Sequence, residues 1–432
     1  MKDPTAEKMM ELTKARIRDE AFQRKHTLNP EKDFTRQRKL GFPETMEYVL
    51  GNCRESMEMN AEKFVEEAQL GSISTAALCK ARGKIRWEAF REVFEECAAL
   101  CPVRKLYQGY ELLAVDGMKG EMPNLPNLKE MYPVNSRQSY PMFHAVSVYD
   151  PLNEVFLAAI FRAAPADERE MALELSDHEN VKKRKAIWLF DRGFPSVALI
   201  QKLERMGVYF VMRVSSDFLR EIETFADSGL VDKLLNIEWS EERQKGNKTK
   251  ADLPYSFQIR CVRIHLESGE DEFLITNLPR KEFPKRKIKK LYNFRWGIET
   301  SHNYLKNAVF IEEFTSRKEN GIKQDFYASL WAANLTSAAI ADAMPDTVKK
   351  TLKYKANRRN AVKRVYRRLF ALFFSRVDRC HRIWNSIRDL IKKSLSAVRP
   401  GRHFSRAPNS ASHSCVHACA RQSLLKLMTL VF

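Results

Sequence analysis

Two short apolar runs, each ending in an aspartate with a glycine close behind, constrain the fold most strongly. They are ELLAVDGMKG at residues 111–120 and KAIWLFDRGFPS at residues 185–196, and they contain Asp116 and Asp191. Short apolar runs bounded by such residues are typical of buried strands. An acid at the carboxyl end of a strand projects into the crevice where α/β proteins bind ligands. Either aspartate alone could instead be an ordinary turn residue beside glycine.

The segments around these runs alternate between strand and helix patterns. FHAVSVYD (143–150) and EVFLAAIF (154–161) are joined by PLN and, together with the first run, predict a three-stranded meander. VYFVMRVS (208–215) predicts a further buried strand, and amphipathic stretches lie between the runs. Strands that alternate with helices predict an α/β fold with a mixed sheet and flanking helices.

Changes of pattern divide the chain into six predicted regions. The first is helical, the second and fourth form the α/β layer, the third is a β-rich insertion, the fifth is basic and helical, and the last is a disordered tail. Their predicted boundaries are 1–105, 106–215, 216–283, 284–345, 346–406 and 407–432.

Most of the excess charge lies in one segment. The formal net charge is +19, and residues 346–406 contain 19 Lys or Arg against 3 Asp, a net charge of +16. A chain this basic favours a polyanionic partner, either nucleic acid or an acidic membrane surface. No apolar run of about eighteen residues predicts a membrane span. The basic segment could bind DNA, or it could be a dimerisation helix that happens to be basic.

The eight cysteines predict reduced thiols in a cytosolic protein, because no leader segment with an apolar centre is evident. Near the end of the chain, HSCVHAC (413–419) contains alternating His and Cys that could hold a metal. Its spacing matches no closed zinc module, so we do not predict a zinc site there.

The segment LYNFRWGIETSHNYLKN (291–307) carries one carboxylate among cations and a phenol. On a regular helix Tyr292, Arg295, Glu299 and Lys306 would lie within a sector of about 60°, at about 100° per residue. The opposite side would carry apolar residues for the core, namely Leu291, Phe294, Ile298 and Leu305. The alternative is a surface helix with an ordinary ion pair at i and i+4.

Three carboxylates brought together by such a fold, Asp116, Asp191 and Glu299, need cations to neutralise them. Hard oxygen ligands select Mg²⁺ or Mn²⁺. Two such ions can activate a water and stabilise a leaving oxygen in phosphoryl transfer. Arg and Lys beside that site suit phosphate contacts.

The segment YNFRWGIETSHNYLK fits the pattern Y-(2)-R-(3)-E-(6)-K and resembles the signature of the insertion-sequence four (IS-four) transposases of the DDE type. AVDGMKG and LFDRGF are similar to the two aspartate motifs of that family and come in the same order. The resemblance spans roughly residues 30–345. It implies an RNase H-like catalytic core interrupted by a β-rich insertion, which agrees with the 108 residues between Asp191 and Glu299.

The resemblance also implies roles for single residues. Two Mg²⁺ ions, for which Mn²⁺ can substitute, would be held by the three acids, Asp116, Asp191 and Glu299. The DNA phosphates near the cleaved end would be contacted by Tyr292, Arg295 and Lys306. Arg192 could also face the DNA backbone or could be structural. Trp239, the only Trp of the insertion, could stack against a flipped base or belong to the core.

The function implied is that of a bacterial, cytoplasmic DNA transposase, associated with the nucleoid when bound to DNA. Its helical N-terminal domain would bind terminal inverted repeats, and synapsis of two ends would need at least a homodimer. It would cleave the element ends, form a hairpin intermediate and join the 3′-OH ends to target DNA. The alternatives are a nuclease without strand transfer and a catalytically silent DNA-binding regulator. The tail after RPGRHFSRA departs from the family pattern.

Overall fold

The first part of the chain is helical, as the sequence predicts. The computed structural model describes residues 5–36, 38–52, 55–134, 139–267, 269–344 and 354–397. Serine and aspartate side chains cap several of the first helices, since Asp19, Ser56 and Ser74 accept backbone N–H groups of the following turn. The N-terminal helices are α1 Thr5–Arg18, α2 Glu20–His26, α3 Phe42–Leu50, α4 Met57–Ala68, α5 Thr75–Arg82 and α6 Glu88–Leu100.

Within the described residues, eight strands form one mixed sheet in the order β3-β2-β1-β4-β5-β8-β7-β6. β1, β2 and β3 are an antiparallel meander, whereas β4 is parallel to β1 and β5 is parallel to β4. This arrangement confirms the predicted meander and the predicted mixed sheet. The strands are β1 Glu111–Glu121, β2 Met142–Asp150, β3 Val155–Ala163, β4 Ala186–Phe190, β5 Tyr209–Val214, β6 Asp232–Trp239, β7 Tyr255–His265 and β8 Asp271–Thr276.

The β-rich insertion extends the edge of this sheet. β8 pairs antiparallel with β5, and β7 and β6 continue outward from it. The connecting helices are α7 Pro126–Met131, α8 Glu168–Ser176, α9 Glu179–Lys182, α10 Val197–Arg205, α11 Arg220–Asp227, α12 Glu241–Gln244, α13 Lys285–Tyr292, α14 Trp296–Tyr304 and α15 Glu319–Ala343.

Each face of the sheet packs in its own apolar core, because side chains alternate along a strand. One face lies against α14, α15 and the N-terminal helices, and we call it the α15 face. The opposite face lies against α8, α10 and α11, and we call it the α8 face. Strand residues on the α15 face include Leu112, Ala114, Ile187 and Leu189, and those on the α8 face include Leu113, Val115, Trp188 and Phe190.

α15 lies at the centre of the larger core, and most of its residues are buried. Trp331 on this helix is fully buried. Arg82 of α5 forms a buried ion pair with Asp325 of α15, with 2.8 Å between Nη2 and Oδ1. The same guanidinium donates to Gln324 and Thr315, each at 2.7 Å. The N-terminal helices are therefore fixed to the helix that supports the sheet.

The described part of the basic C-terminal region is helical and packs into the same core. Phe370, Phe373 and Trp384 are buried, and Arg388 Nη1 donates to Glu7 Oε1 of α1 at 2.6 Å. The tail predicted from residue 407 and the HSCVHAC segment lie outside the described residues. The elements are β9 Tyr354–Ala356, α16 Arg358–Tyr366, α17 Leu369–Phe374, α18 Val377–Lys393 and β10 Leu395–Ala397.

No helix within the described ranges combines the length and the apolar character needed to cross a membrane.

Candidate active site

The two aspartates lie side by side on one face of the sheet. The last residue pair of the parallel β1–β4 ladder is Val115 with Phe190. Asp116 directly follows Val115, and Asp191 directly follows Phe190. Val115 and Phe190 belong to the α8 face. Since side chains alternate, both aspartates point to the α15 face, where α14 packs. The structure thus brings together two of the three predicted acids.

β1 does not end at Asp116, and the predicted strand end was wrong. β1 continues to Glu121 because its other neighbour, β2, pairs with it from Ala114 to Glu121. The apolar run of β1 ends at the level where β4 stops. After Val115, β1 is paired with β2 on one side and, within the described residues, has no strand on the other. Asp116 therefore lies inside a strand, but at the level of the crevice that opens beyond β4.

His302 of α14 lies behind Asp116 and was not predicted as a site residue. Its Nδ1 is 3.7 Å from Asp116 Oδ2, and its Nε2 is 3.1 Å from Ser147 Oγ on β2. The ring is buried and stacks on Phe156, and burial lowers its pKa to about 4. The backbone N–H of Gly117 donates to Asp116 Oδ1 at 2.9 Å. The carboxylate of Asp116 is therefore held by a hydrogen bond from Gly117, and the uncharged His302 ring packs beside it.

The pKa of Asp116 is raised to about 7, chiefly by burial. The charges of Asp191 and Glu299 also raise this pKa, whereas the Gly117 N–H group and Arg295 lower it. Asp116 therefore interacts electrostatically with both of the other acids. A cation beside Asp116 would favour its ionised form.

The segment that carries the four signature residues is helical but not one regular α-helix, as the sequence analysis assumed. α13 ends at Tyr292, a 3₁₀ turn spans Asn293–Arg295, and α14 follows. Lys306 lies in a π-helical segment, Leu305–Val309. The number of residues per turn therefore changes between Tyr292 and Lys306. The sector of about 60°, which was calculated for a regular α-helix at about 100° per residue, does not apply to this segment.

Tyr292 and Arg295 are buried rather than exposed on the front of a helix, with 3% and 2% of their surface accessible. The Tyr292 hydroxyl donates to Asp191 Oδ1 at 3.3 Å. Arg295 Nη2 donates to Glu299 Oε1 at 2.6 Å. Arg213 of β5 lies near the first of these contacts, with Nη1 at 4.0 Å from Asp191 Oδ1. In this structure the phenol and the guanidinium contact the acids themselves.

Lys306 and Arg192 lie at the rim of the crevice. Lys306 Nζ donates to the Lys119 carbonyl of β1 at 2.9 Å and pairs with Glu312 Oε1 at 2.7 Å. Arg192 directly follows the second aspartate and is exposed. Arg192 is therefore open to solvent, whereas Lys306 is held by two protein partners in this structure.

Trp239 lies away from the three acids. Asp232, at the start of β6, is level with Asp191 across the sheet, because each intervening pair is in register. β6 runs antiparallel to β4 from there, so Trp239 at its end reaches the opposite edge of the sheet. Its Nε1 donates to Gln244 Oε1 at 3.2 Å. Trp239 was predicted either to stack on a flipped DNA base or to pack in the core. Its half-buried position away from the acids fits core packing.

The donor chemistry of the three acids fits a divalent cation, because carboxylate oxygens are the ligands that Mg²⁺ and Mn²⁺ prefer. Across the described ranges, no group of three or more His, Cys, Asp or Glu side chains is already arranged around a metal position. Asp191 accepts from Tyr292, and Glu299 accepts from Arg295. Binding a cation requires these acids to exchange or share those partners, so joint ligation remains a prediction.

Two of the unpredicted neighbours left a signal in the sequence. His302 follows Glu299 by three residues, a spacing that places both on one side of a helix. Arg213 is the only charged residue in VYFVMRVS. Its Nε lies 3.2 Å from Glu272 Oε1, so it bridges that acid and Asp191. A cation inside a buried strand run indicates a buried or crevice acid as its partner.

A basic groove runs along the N-terminal helices. It consists of two open cavities of about 950 and 1060 Å³ that share Lys80 and Lys84 on their walls. Among the cations that line these cavities, Lys84 pairs with Asp33 at 2.9 Å and the buried Arg82 pairs with Asp325. Two acids, Glu31 and Glu88, also line the cavities. The cations that define this basic groove are Lys32, Arg36, Arg38, Lys39, Lys80, Lys84, Arg86, Arg317 and Lys318.

The model of the family described as Transposase DDE domain matches residues 107–335. No curated protein matches the chain. Among solved structures, the chain is similar to the piggyBac transposase in its cryo-EM synaptic complex with hairpin DNA, with a TM-score of 0.48 and 13% identity over 94% of each chain. Because the family match covers more than half of the chain and contains Asp116, Asp191 and Glu299, the chain belongs to the family of transposases with a DDE domain.

Proposed function

We propose that the chain is the transposase of an insertion sequence of the IS-four group. It cleaves DNA at the ends of its element by phosphodiester hydrolysis and joins the 3′-OH ends to target DNA. The observation that carries this proposal is the position of Asp116 and Asp191, next to each other on the face that α14 covers. Glu299 on α14 completes the set of acids.

The three acids, Asp116, Asp191 and Glu299, are the proposed ligands of two Mg²⁺ ions, for which Mn²⁺ can substitute. Transposases of this family generally use divalent metal ions. Bound there, such ions supply Lewis acidity at the scissile phosphate. The raised pKa of Asp116 supports the assignment, because burial beside other carboxylates disfavours its charge unless a cation is near.

Tyr292 and Arg295 have a double role in this proposal. In the structure each donates to an acid, which orients Asp191 and Glu299 before DNA arrives. With Glu299 as a ligand of a cation, the Arg295 guanidinium would donate to a DNA phosphate instead. Lys306 and Arg192 at the rim contact neighbouring phosphates.

The basic groove is the proposed surface for the terminal inverted repeats. Its cations lack acidic partners within the described residues, apart from Lys84, so they remain available for phosphates. Arg317 and Lys318 line the groove and follow Lys306 by 11 and 12 residues in the chain. We propose that DNA bound along the groove continues toward the acids.

The remaining steps follow from the need to hold two element ends together. A homodimer in the synaptic complex holds one end on each subunit, and the second strand is resolved through a hairpin. The exposed cations of the C-terminal helices, such as Arg359, Lys363 and Lys392, would contact donor or target DNA. The protein would act on the nucleoid, in the bacterial cytoplasm.

The test uses a supercoiled plasmid that carries the short terminal inverted repeats found in the DNA flanking the gene. Wild-type protein with Mg²⁺ should cleave at the repeat ends. Glu299→Gln and Asp191→Asn should abolish cleavage while end binding, measured by gel shift, is kept. Glu170→Gln, an exposed acid on α8, is the matched control and should cleave like wild type.

The assignment would be wrong if Glu299→Gln kept full cleavage. A pre-cleaved repeat end supplied with target DNA tests joining separately. Cleavage without joining would identify a nuclease, and end binding without cleavage by the wild-type protein would identify a regulator.

A further inference from the structure

On the α8 face, directly behind the aspartates, one glutamate lies against both glycines that follow them. A Cβ atom on Gly117 would lie 2.6 Å from Glu168 Oε1, and one on Gly193 would lie 3.0 Å from Glu168 Oε2. Gly117 follows Asp116 in β1, so its position faces away from the acids. A single carboxylate therefore packs against the backbone of the β1 strand and of the Asp191 loop.

Glu168 is held in place by a buried histidine of β2. His144 is 1% exposed, and its Nε2 is 2.7 Å from Glu168 Oε1. Its Nδ1 is 3.0 Å from the Ala166 carbonyl, which can only accept, so Nδ1 carries a proton. The contact between Nε2 and Oε1 then requires one proton between these two atoms. If His144 carries it, an imidazolium faces a carboxylate; if Glu168 carries it, both groups are neutral, so the pair has zero net charge in either case. Both ring nitrogens are thus fixed by directional bonds.

The start of α8 holds the Asp191 loop by a second contact. Arg169 Nε donates to the Gly193 carbonyl at 3.2 Å. Asp167 caps the helix, accepting the Arg169 N–H at 2.9 Å, and this cap fixes the first turn that carries Glu168. An acid in the first turn is also favoured by the helix dipole. The turn is therefore a rigid support for the loop.

An apolar side chain of similar size would fill the same space without the desolvation cost of a pair in which His144 is buried and Glu168 is half-buried. What the polar pair adds is fixed geometry, because hydrogen bonds have preferred distances and directions. The space it leaves at position 117 admits only glycine without a shift of Glu168.

We propose that Glu168, held by His144, is a positioning residue of the active site. It sets the separation between β1 at Asp116 and the loop of Asp191, and thereby the separation of the two carboxylates. It acts from the reverse face of the sheet and does not contact DNA or metal. This role rests on the proposed function, because it matters only where the two acids act together.

The first test compares Glu168→Ala with Glu168→Gln, which keeps the shape and can still hydrogen-bond His144. Mn²⁺ binding to the DNA-free protein, measured by electron paramagnetic resonance, should weaken about 10- to 100-fold in Glu168→Ala, the range found when partners of metal ligands are removed. kcat for end cleavage should fall by a similar factor with KM for the end unchanged. Glu168→Gln should keep most of the Mn²⁺ affinity and most of kcat. Glu170→Ala should match wild type in both quantities.

The second test measures coupling to the glycine. Gly117→Ala alone should lower Mn²⁺ affinity and kcat, since the added methyl group meets Glu168. In the Glu168→Ala background the methyl group loses its closest contact and keeps one at 3.2 Å with His144 Nε2. The combined loss of Mn²⁺ affinity and kcat in the double variant should therefore be smaller than the sum of the two single losses. The free energy of unfolding by urea is measured for each variant. If Glu168→Ala does not fold, Glu168→Asp takes its place with the same expectations.

The outcomes separate this inference from the proposed function. If the wild-type protein binds no Mn²⁺, or if Asp191→Asn binds Mn²⁺ as tightly as wild type, both the proposed function and the positioning role fail. If that binding is present but Glu168→Ala equals wild type in Mn²⁺ affinity and kcat, only the positioning role is overturned. Additive effects of Gly117→Ala and Glu168→Ala would also overturn it.

Discussion

At the scale of single residues, the spacing of the signature is explained by contacts within the protein. Tyr292 reaches Asp191, and Arg295 reaches Glu299 one helical turn away. Both donors are buried, so their contacts to the acids are protected from water. In this structure the phenol of Tyr292 and the guanidinium of Arg295 therefore orient two of the three acids.

Tyr292→Phe removes the hydroxyl that donates to Asp191 and leaves the ring in the core. Hydrogen bonds to charged groups contribute about 1.5–3 kcal/mol, so we expect kcat for end cleavage to fall about 10- to 100-fold. Steady-state cleavage of a repeat-end duplex measures this. Tyr140→Phe, at a position that is 41% exposed, is the control. Unchanged kcat in Tyr292→Phe would show that Asp191 is oriented by other groups.

At the scale of elements, the position of α14 determines where Glu299 lies. The helix approaches the turn between β2 and β3 so closely that a Cβ atom on Gly297 would lie 2.7 Å from Cβ of Pro151. The rigid proline ring cannot move aside as a flexible side chain would. Glycine at this position therefore allows the helix to bring its acid over the sheet.

Gly297→Ala should move α14 away from the turn and lower kcat about 10- to 100-fold, since a misplacement of about 1 Å can cost about 100-fold. Helix propensity alone would favour alanine by about 1 kcal/mol, so the free energy of unfolding need not fall with activity. Cleavage kinetics and urea unfolding are measured on the same samples. Asn303→Ala, exposed on the same helix, is the control. Wild-type kcat in Gly297→Ala would refute the close-packing explanation.

At the scale of the whole molecule, one apolar core joins regions that the sequence analysis separated. It contains residues from α1, the sheet, α15 and the C-terminal helices. Removing everything after Met344 would expose the partners of Phe373 and Trp384, so we expect such a truncated chain to be unstable. The role of the basic C-terminal region is better tested by neutralising its exposed cations than by truncation.

The basic groove leads to a prediction about salt. Removing one cation that neutralises a DNA phosphate should reduce the slope of log K against log salt by about 0.9. Lys80→Gln and Arg317→Gln should therefore each weaken binding to a repeat-end duplex and flatten its salt dependence, with little change in the free energy of unfolding. Lys233→Gln, exposed on β6, should bind with the wild-type slope. Wild-type slopes in both groove variants would place the DNA elsewhere.

The sequence predicted much of the fold and the members of the candidate site. Apolar runs predicted β1 to β5, and the pattern of Tyr292, Arg295, Glu299 and Lys306 indicated a transposase. The sequence did not show that β1 passes beyond Asp116, or that Trp239 lies at the far edge of the sheet. It also gave only weak signals for His302 and Arg213.

The difference has a physical cause. Strand and helix periodicity depends on neighbours within a few residues, so the sequence by itself determined which segments are strands and which acids end the apolar runs. Strand order and register depend on pairing between segments far apart in the chain. Only the tertiary structure therefore decided that Asp116 and Asp191 share one face, with Glu168 behind them on the other.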